Sequence, residues 1–71
     1  MDREYVDLLY WKNGGDSFAC QLYNLIGKAD KFNKEKLRKG FPEYLAAWEE
    51  WFNSPNEEEF LDDLKERIRV K

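Results

Sequence analysis

The scarcity of β-branched residues is the feature that most restricts the fold of this chain, because those residues favour β-strands. The sequence contains two isoleucines, two valines and no threonine among 71 residues. Apolar residues instead recur at spacings of three and four, which is the pattern of amphipathic helices. We therefore predict an all-α fold, in which residues 1–71 form a compact single domain of four to five short helices.

Polar caps and glycines predict the ends of the first two helices. Asp2 is a candidate N-cap for the first helix, and the Asn-Gly-Gly run at residues 13–15 is expected to end it. Either Asp16 or Ser17 then caps a second helix, which ends within residues 28–30. We expect this helix to lie at the centre of the core, with a buried stripe made of Phe18, Leu22, Leu25, Ile26 and Ala29.

Similar signals predict two helices in the middle of the chain. Asn33 is the N-cap candidate of a two-turn helix, for which Gly40 is the expected C′ residue. Pro42 suits the first turn of the next helix, because a helix leaves its first amides unpaired in any case. That fourth helix is expected to run to about Phe52.

The last helix has the clearest start signal in the sequence. Ser54 is expected to cap it, with Pro55 at its first position and Glu57 completing a capping box. Acidic residues then fill its first turn and basic residues its last, which complements the helix dipole. Its predicted buried stripe consists of Phe60, Leu61, Leu64 and Ile68.

The fourth helix carries two apolar stripes, whereas a helix in so small a domain normally buries one. The stripes are Phe41, Leu45, Trp48 and Phe52 on one face, and Tyr44, Ala47 and Trp51 on a neighbouring face. One interpretation is that Tyr44, Trp48 and Trp51 bind a partner, because Trp and Tyr are common interface anchors. The other is that the core surrounds this helix and buries both stripes.

Charge is strongly segregated along the chain, although the net charge is only −3. Residues 28–42 carry a net charge of +4, and residues 43–64 carry −8. The basic residues of the 28–39 segment suggest an alternative function, nucleic-acid binding, through Lys34, Lys36, Arg38 and Lys39. The same cations are also compatible with a solvated helix face, or with pairing to the acidic segment. The acidic segment itself is either a solvated face or a surface that attracts a cationic partner.

The residue types exclude the usual catalytic and metal sites. The chain has no histidine and one cysteine, so Cys20 lacks the usual base and is expected to be a buried structural thiol. Phosphate-binding loops and metal-ligand spacings are missing, and no apolar run reaches the length of a membrane span. We therefore expect a cytoplasmic, non-enzymatic protein without a small-molecule cofactor, a metal ion or a membrane attachment.

A longer stretch of the sequence also resembles a known group of proteins. The stretch comprises LIGKADKFNKEKLRKGFPE at residues 25–43, followed by AWEEW at residues 47–51. It is similar to small helical proteins of Gram-positive bacteriophages and integrated mobile elements. The resemblance supplies no catalytic or binding residues. It implies a protein that binds a host protein or regulates the element itself, and the predicted function is a protein-interaction module that binds itself or another protein.

Overall fold

A computed structural model describes residues 3–70 of the chain, and the side chains of residues 3–68. Five α-helices follow one another in this range, and it contains no strand. They are α1 (Arg3–Lys12), α2 (Phe18–Lys28), α3 (Lys31–Gly40), α4 (Pro42–Phe52) and α5 (Glu57–Val70). The predicted all-α single domain is therefore confirmed.

The predicted boundaries of α1 and α2 agree with the structure where it describes them. α1 ends before a turn in which Gly14 has a φ of +87°, a conformation that costs glycine little. Ser17 caps α2, because its side-chain oxygen accepts a hydrogen bond from the amide of Cys20. α2 ends at Lys28, within the predicted interval. The proposed Asp2 cap lies outside the described residues.

The prediction for the ends of α3 is wrong at both residues. Asp30 is the N-cap instead of Asn33, and its carboxylate accepts a 2.8 Å hydrogen bond from the Asn33 amide. Gly40 belongs to the last turn of α3, and it does not have a positive φ. Phe41 alone separates α3 from α4, with Pro42 in the first turn of α4 as predicted. α3 therefore begins about one turn earlier than predicted, and it leads almost directly into α4.

The predicted capping box of α5 is also wrong. Ser54 donates a hydrogen bond backward to the carbonyl of Trp51, so its side chain closes the end of α4. Asn56 takes the capping role, since its side chain accepts a hydrogen bond from the amide of Glu59. Glu57 is the first residue of α5 and not its third, which leaves the acidic first turn where it was predicted.

The hydrophobic core lies around α4, against which each of the other helices packs. Its largest fully buried side chains include Tyr23, Leu8, Ile26, Leu45 and Leu64. Trp11 covers one side of this core, where its ring stacks on Tyr23 and makes an edge contact with Trp51. The radius of gyration is 11.9 Å, near the value of about 11 Å expected for a compact chain of this length.

Candidate functional site

The aromatic residues of α4 that were predicted to bind a partner lie within the fold. Trp48 is 5% exposed and Trp51 is 7% exposed, and both belong to the main core cluster. Tyr44 is half-buried, and its hydroxyl donates a 2.8 Å hydrogen bond to the carboxylate of Asp7 on α1. These three side chains therefore offer little surface to a partner. The interpretation that the core buries both stripes fits them, but it does not fit Phe52 of the first stripe, which is 54% exposed.

The two most exposed large apolar side chains lie instead on α2 and α3. Phe18 is 73% exposed, Phe32 is 71% exposed and Leu25 is 54% exposed. The prediction that Phe18 and Leu25 belong to the buried stripe of α2 is therefore wrong. The helix buries a face about a quarter-turn away, which consists of Ala19, Cys20, Leu22, Tyr23 and Ile26.

Phe18 and Leu25 line a groove between α2 and α3, which we call the α2–α3 groove. α2 packs against α1 and α4, and α3 packs against α4, so the space between α2 and α3 stays open. Its apolar walls are formed by Phe18, Leu22, Leu25, Leu37 and Phe41. Leu25 and Leu37 also line the continuation of the groove toward the start of α3, a hollow of about 410 Å³.

The end of the groove at the start of α3 is basic. Lys28 and Lys36 stand on its opposite sides, one on each helix, and both residues are exposed. Beyond Lys36, on the outer side of α3, Lys31 and Lys39 flank Phe32 in a second shallow hollow. The Lys36 ammonium group lies 4.6 Å from the centre of the Phe32 ring. An apolar groove thus leads into a cluster of lysines.

The four residues predicted to contact nucleic acid do not form one surface. Arg38 faces α4, where its guanidinium binds the carboxylate of Glu49 through two hydrogen bonds. Lys34 also turns toward α4, with its ammonium group 4.5 Å from the centre of the Trp48 ring. Lys39 lies on the outer side of α3, and Lys36 lies between that side and the α2–α3 groove. Two of the four cations are therefore engaged within the fold.

Several polar groups of the core are hydrogen-bonded within the fold, whereas the indole nitrogens of Trp48 and Trp51 are buried without a hydrogen-bond partner in the described part of the chain. Tyr23 donates a hydrogen bond to the carbonyl of Glu4, and burial raises its pKa well above the ordinary value. Burial, together with the hydrogen bond to Asp7, raises the pKa of Tyr44 to about 12. Cys20 is buried as predicted, with its sulfur accepting a hydrogen bond from the Ser17 hydroxyl. Within the described residues, His, Cys, Asp and Glu side chains form no group of three that could hold a metal ion.

Sequence reasoning missed the α2–α3 groove, although a signal was present. Apolar side chains cover more of the circumference of α2 than one buried face requires. The stripe through Phe18, Leu25 and Ala29 is separate from the stripe through Ala19, Tyr23 and Ile26. We looked for a second, exposed apolar stripe on α4, which lies at the centre of the fold. The helix with a second, exposed apolar stripe is α2, which lies at the edge of the domain.

Comparisons with models of protein families, with curated proteins and with solved structures found no match to this chain. Among the described residues, no helix is long and apolar enough to cross a membrane.

Proposed function

We propose that this chain is a non-enzymatic protein-interaction module whose protein partner binds in the α2–α3 groove. The observation that carries the proposal is the joint exposure of Phe18 and Leu25 on the wall of one continuous groove. Monomeric proteins rarely expose contiguous apolar surface without a use for it, and an apolar groove between helices is a common binding site for proteins. This proposal moves the predicted contact from the buried face of α4 to α2 and α3.

The cellular setting belongs to the same proposal. The single, buried cysteine fits a reducing cytoplasm, since nothing in the fold depends on a disulfide. The sequence resemblance favours a bacteriophage or a mobile element as the source. In that setting the partner is a host protein or a component of the element itself.

The test is an unbiased selection of binding peptides. A yeast-displayed library of helical peptides is selected against the wild-type protein and then screened against a Phe18→Ser, Leu25→Ser double variant. We expect the enriched peptides to lose binding to this variant, while the fold stays intact because both side chains are exposed.

Phe52→Ser supplies the matched control. Phe52 is as exposed as Leu25, at 54%, and it lies outside the residues that line the groove. The enriched peptides are expected to bind this control like the wild type. The proposal is overturned if no peptide is enriched, or if the enriched peptides bind the groove variant as well as the wild type. Self-association is followed by sedimentation, and a dimer that the double variant loses supports the proposal with a second copy as the partner.

Nucleic-acid binding is the second candidate, and one observation favours it. Lys31, Lys36 and Lys39 surround the exposed ring of Phe32, and aromatic rings among cations suit stacking on single-stranded bases. The test is a mobility-shift titration of single-stranded DNA at about 50 mM salt, where phosphate contacts are strong. A shift that Lys36→Gln and Lys39→Gln weaken together supports this function, and the absence of any shift excludes it.

A further inference from the structure

We infer that the partner of the α2–α3 groove is an amphipathic helix with a cluster of carboxylates at one end. This inference rests on the proposed function, and it adds the chemistry and the placement of the bound helix. The apolar part of the groove selects the shape of the ligand. The lysines at one end select its charge.

The apolar part of the groove fits about two turns of a helix. Phe18 and Leu25 are seven residues apart on α2, which places them about 10 Å apart along the helix axis. Apolar residues at positions i, i+4 and i+7 of a bound helix span the same distance. The floor between these two residues is formed by Leu22 and Leu37. A helix-in-groove complex of this kind uses such regularly spaced anchors.

The positive charge of the groove lies at one of its two ends. Lys28 and Lys36 stand at the end near the start of α3, whereas the other end is walled by Phe18 and Phe41. The nearby acidic residue Glu35 is already paired with Arg38, at 3.0 Å. Lys28 and Lys36 are both exposed, and the ammonium group of Lys36 lies 4.6 Å from the centre of the exposed Phe32 ring, so carboxylates of a ligand can approach both lysines from solvent. Such complementary charge gives register and orientation more than affinity.

A second copy of this chain fits the groove less well, although the chain has an acidic helix of its own. The first turn of α5 carries Glu57, Glu58 and Glu59, which are all exposed. The apolar residues Phe60, Leu61, Leu64 and Ile68 that follow on α5 are half-buried or buried in the core of their own domain. α5 therefore presents carboxylates without an apolar stripe, so it matches the lysines and not the apolar walls.

The experiment uses three synthetic helical peptides of about 14 residues with identical leucine spacing. They carry two charged or polar residues at one end, which are glutamates in the first peptide, glutamines in the second and lysines in the third. Each peptide carries a spin label beside these residues. Binding to the full chain is measured by NMR at low and at high salt, with the amide signals assigned.

We expect the glutamate peptide to bind about three- to tenfold more tightly than the glutamine peptide at low salt, and the lysine peptide to bind most weakly. The advantage should shrink at high salt. The spin label of the bound glutamate peptide should broaden the amide signals of Lys28 and Lys36 more than those of Phe18 and Phe41. A Lys28→Glu, Lys36→Glu double variant should reverse the order and prefer the lysine peptide.

Lys65→Glu with Arg67→Glu is the matched control, because it changes the net charge equally on the exposed surface of α5. We expect it to keep the wild-type order. The inference is overturned if the three peptides bind the groove equally, which leaves the proposed function standing. It is also overturned if the control reverses the order as the groove variant does. If none of the peptides binds in the groove and the display selection enriches none, the proposed function fails as well.

Discussion

Arg38 on α3 donates two hydrogen bonds to the Glu49 carboxylate on α4, with lengths of 2.7 Å and 3.0 Å. The guanidinium holds the pKa of Glu49 below its ordinary value, and Glu49 and Glu35 together raise the pKa of Arg38. α3 contributes no fully buried side chain to the fold. This ion pair is therefore one of the contacts that hold α3, and with it one wall of the α2–α3 groove, on α4, beside the packing of Leu37 on the core.

Glu49→Gln is expected to lower the melting temperature at pH 7 by about 1–4 °C, because a partly exposed ion pair contributes little stability. A depressed pKa in the folded state stabilises the protein above the ordinary pKa, and this stabilisation is lost as the pH falls through the lowered value. The difference between wild type and variant should therefore be constant near neutral pH. It should shrink once the pH falls below the ordinary glutamate value of 4.5.

The measurement is thermal unfolding followed by circular dichroism between pH 7 and pH 3. Glu50→Gln is a suitable control, since Glu50 is exposed and its carboxylate accepts a hydrogen bond from Tyr5 instead of an arginine. A difference between wild type and Glu49→Gln that stays the same at pH 3 would contradict the role given to this pair.

Trp51→Ala is expected to affect folding far more than binding. Trp51 is buried and contacts Trp11, Trp48 and Phe52. Removing so large a core side chain costs about 3–5 kcal/mol, which is most of the stability expected for a domain of this size. Leu25→Ser, on the exposed wall of the groove, should cost less than about 1 kcal/mol and weaken peptide binding. Urea unfolding and a binding titration on both variants separate the two effects. An unchanged stability in Trp51→Ala would contradict the burial of this ring.

The helices were predictable from the sequence because their signals are local. The spacing of apolar residues predicts that helices form, and Pro42 and the acidic first turn of α5 mark helix starts within a few residues; the structure agrees with these signals. The cap of α2 was open between Asp16 and Ser17, and the structure assigns it to Ser17. The caps at Asp30 and Asn56 were missed, since several polar residues compete near each of these starts. Which of them caps the helix depends on the path of the short connecting segment, which the sequence pattern does not specify.

The groove was not predictable because burial is a property of the whole packing. α2 and α4 both carry apolar side chains over more than one face, and the sequence does not say which helix the others surround. The structure places α4 at the centre and α2 beside it, so Trp51 is buried and Leu25 is exposed. The order of the helices along the chain does not determine which of the two lies at the centre.

Gly14→Ala and Gly27→Ala are expected to change stability in opposite directions. Gly14 has a φ of +87°, which costs a residue with a β-carbon about 1–2 kcal/mol. Gly27 lies in the last turn of α2, where alanine is better by about 0.5–1 kcal/mol. A β-carbon at Gly27 meets only the indole nitrogen of Trp48, at an ordinary distance of 4.0 Å. Urea unfolding of the two variants checks the signs, and a loss of stability in Gly27→Ala would contradict the packing of α2 on α4.

The half-buried, hydrogen-bonded hydroxyl of Tyr44 predicts a loss of stability at alkaline pH. Burial, with the hydrogen bond to Asp7, raises the pKa of Tyr44 from 10.0 to about 12. Above pH 10 the unfolded chain releases this proton more readily than the folded protein does, so the free energy of unfolding falls as the pH rises. Tyr44→Phe should cost about 1–2 kcal/mol at pH 7, because the carboxylate of Asp7 loses its hydrogen bond. The variant should then lose less further stability than the wild type between pH 10 and pH 12.

Tyr23→Phe should also reduce the fall of the free energy of unfolding over this pH range, since burial raises the pKa of Tyr23 as well. Urea unfolding at a series of alkaline pH values measures these slopes, and equal slopes in the wild type and Tyr44→Phe would show that Tyr44 does not carry the effect.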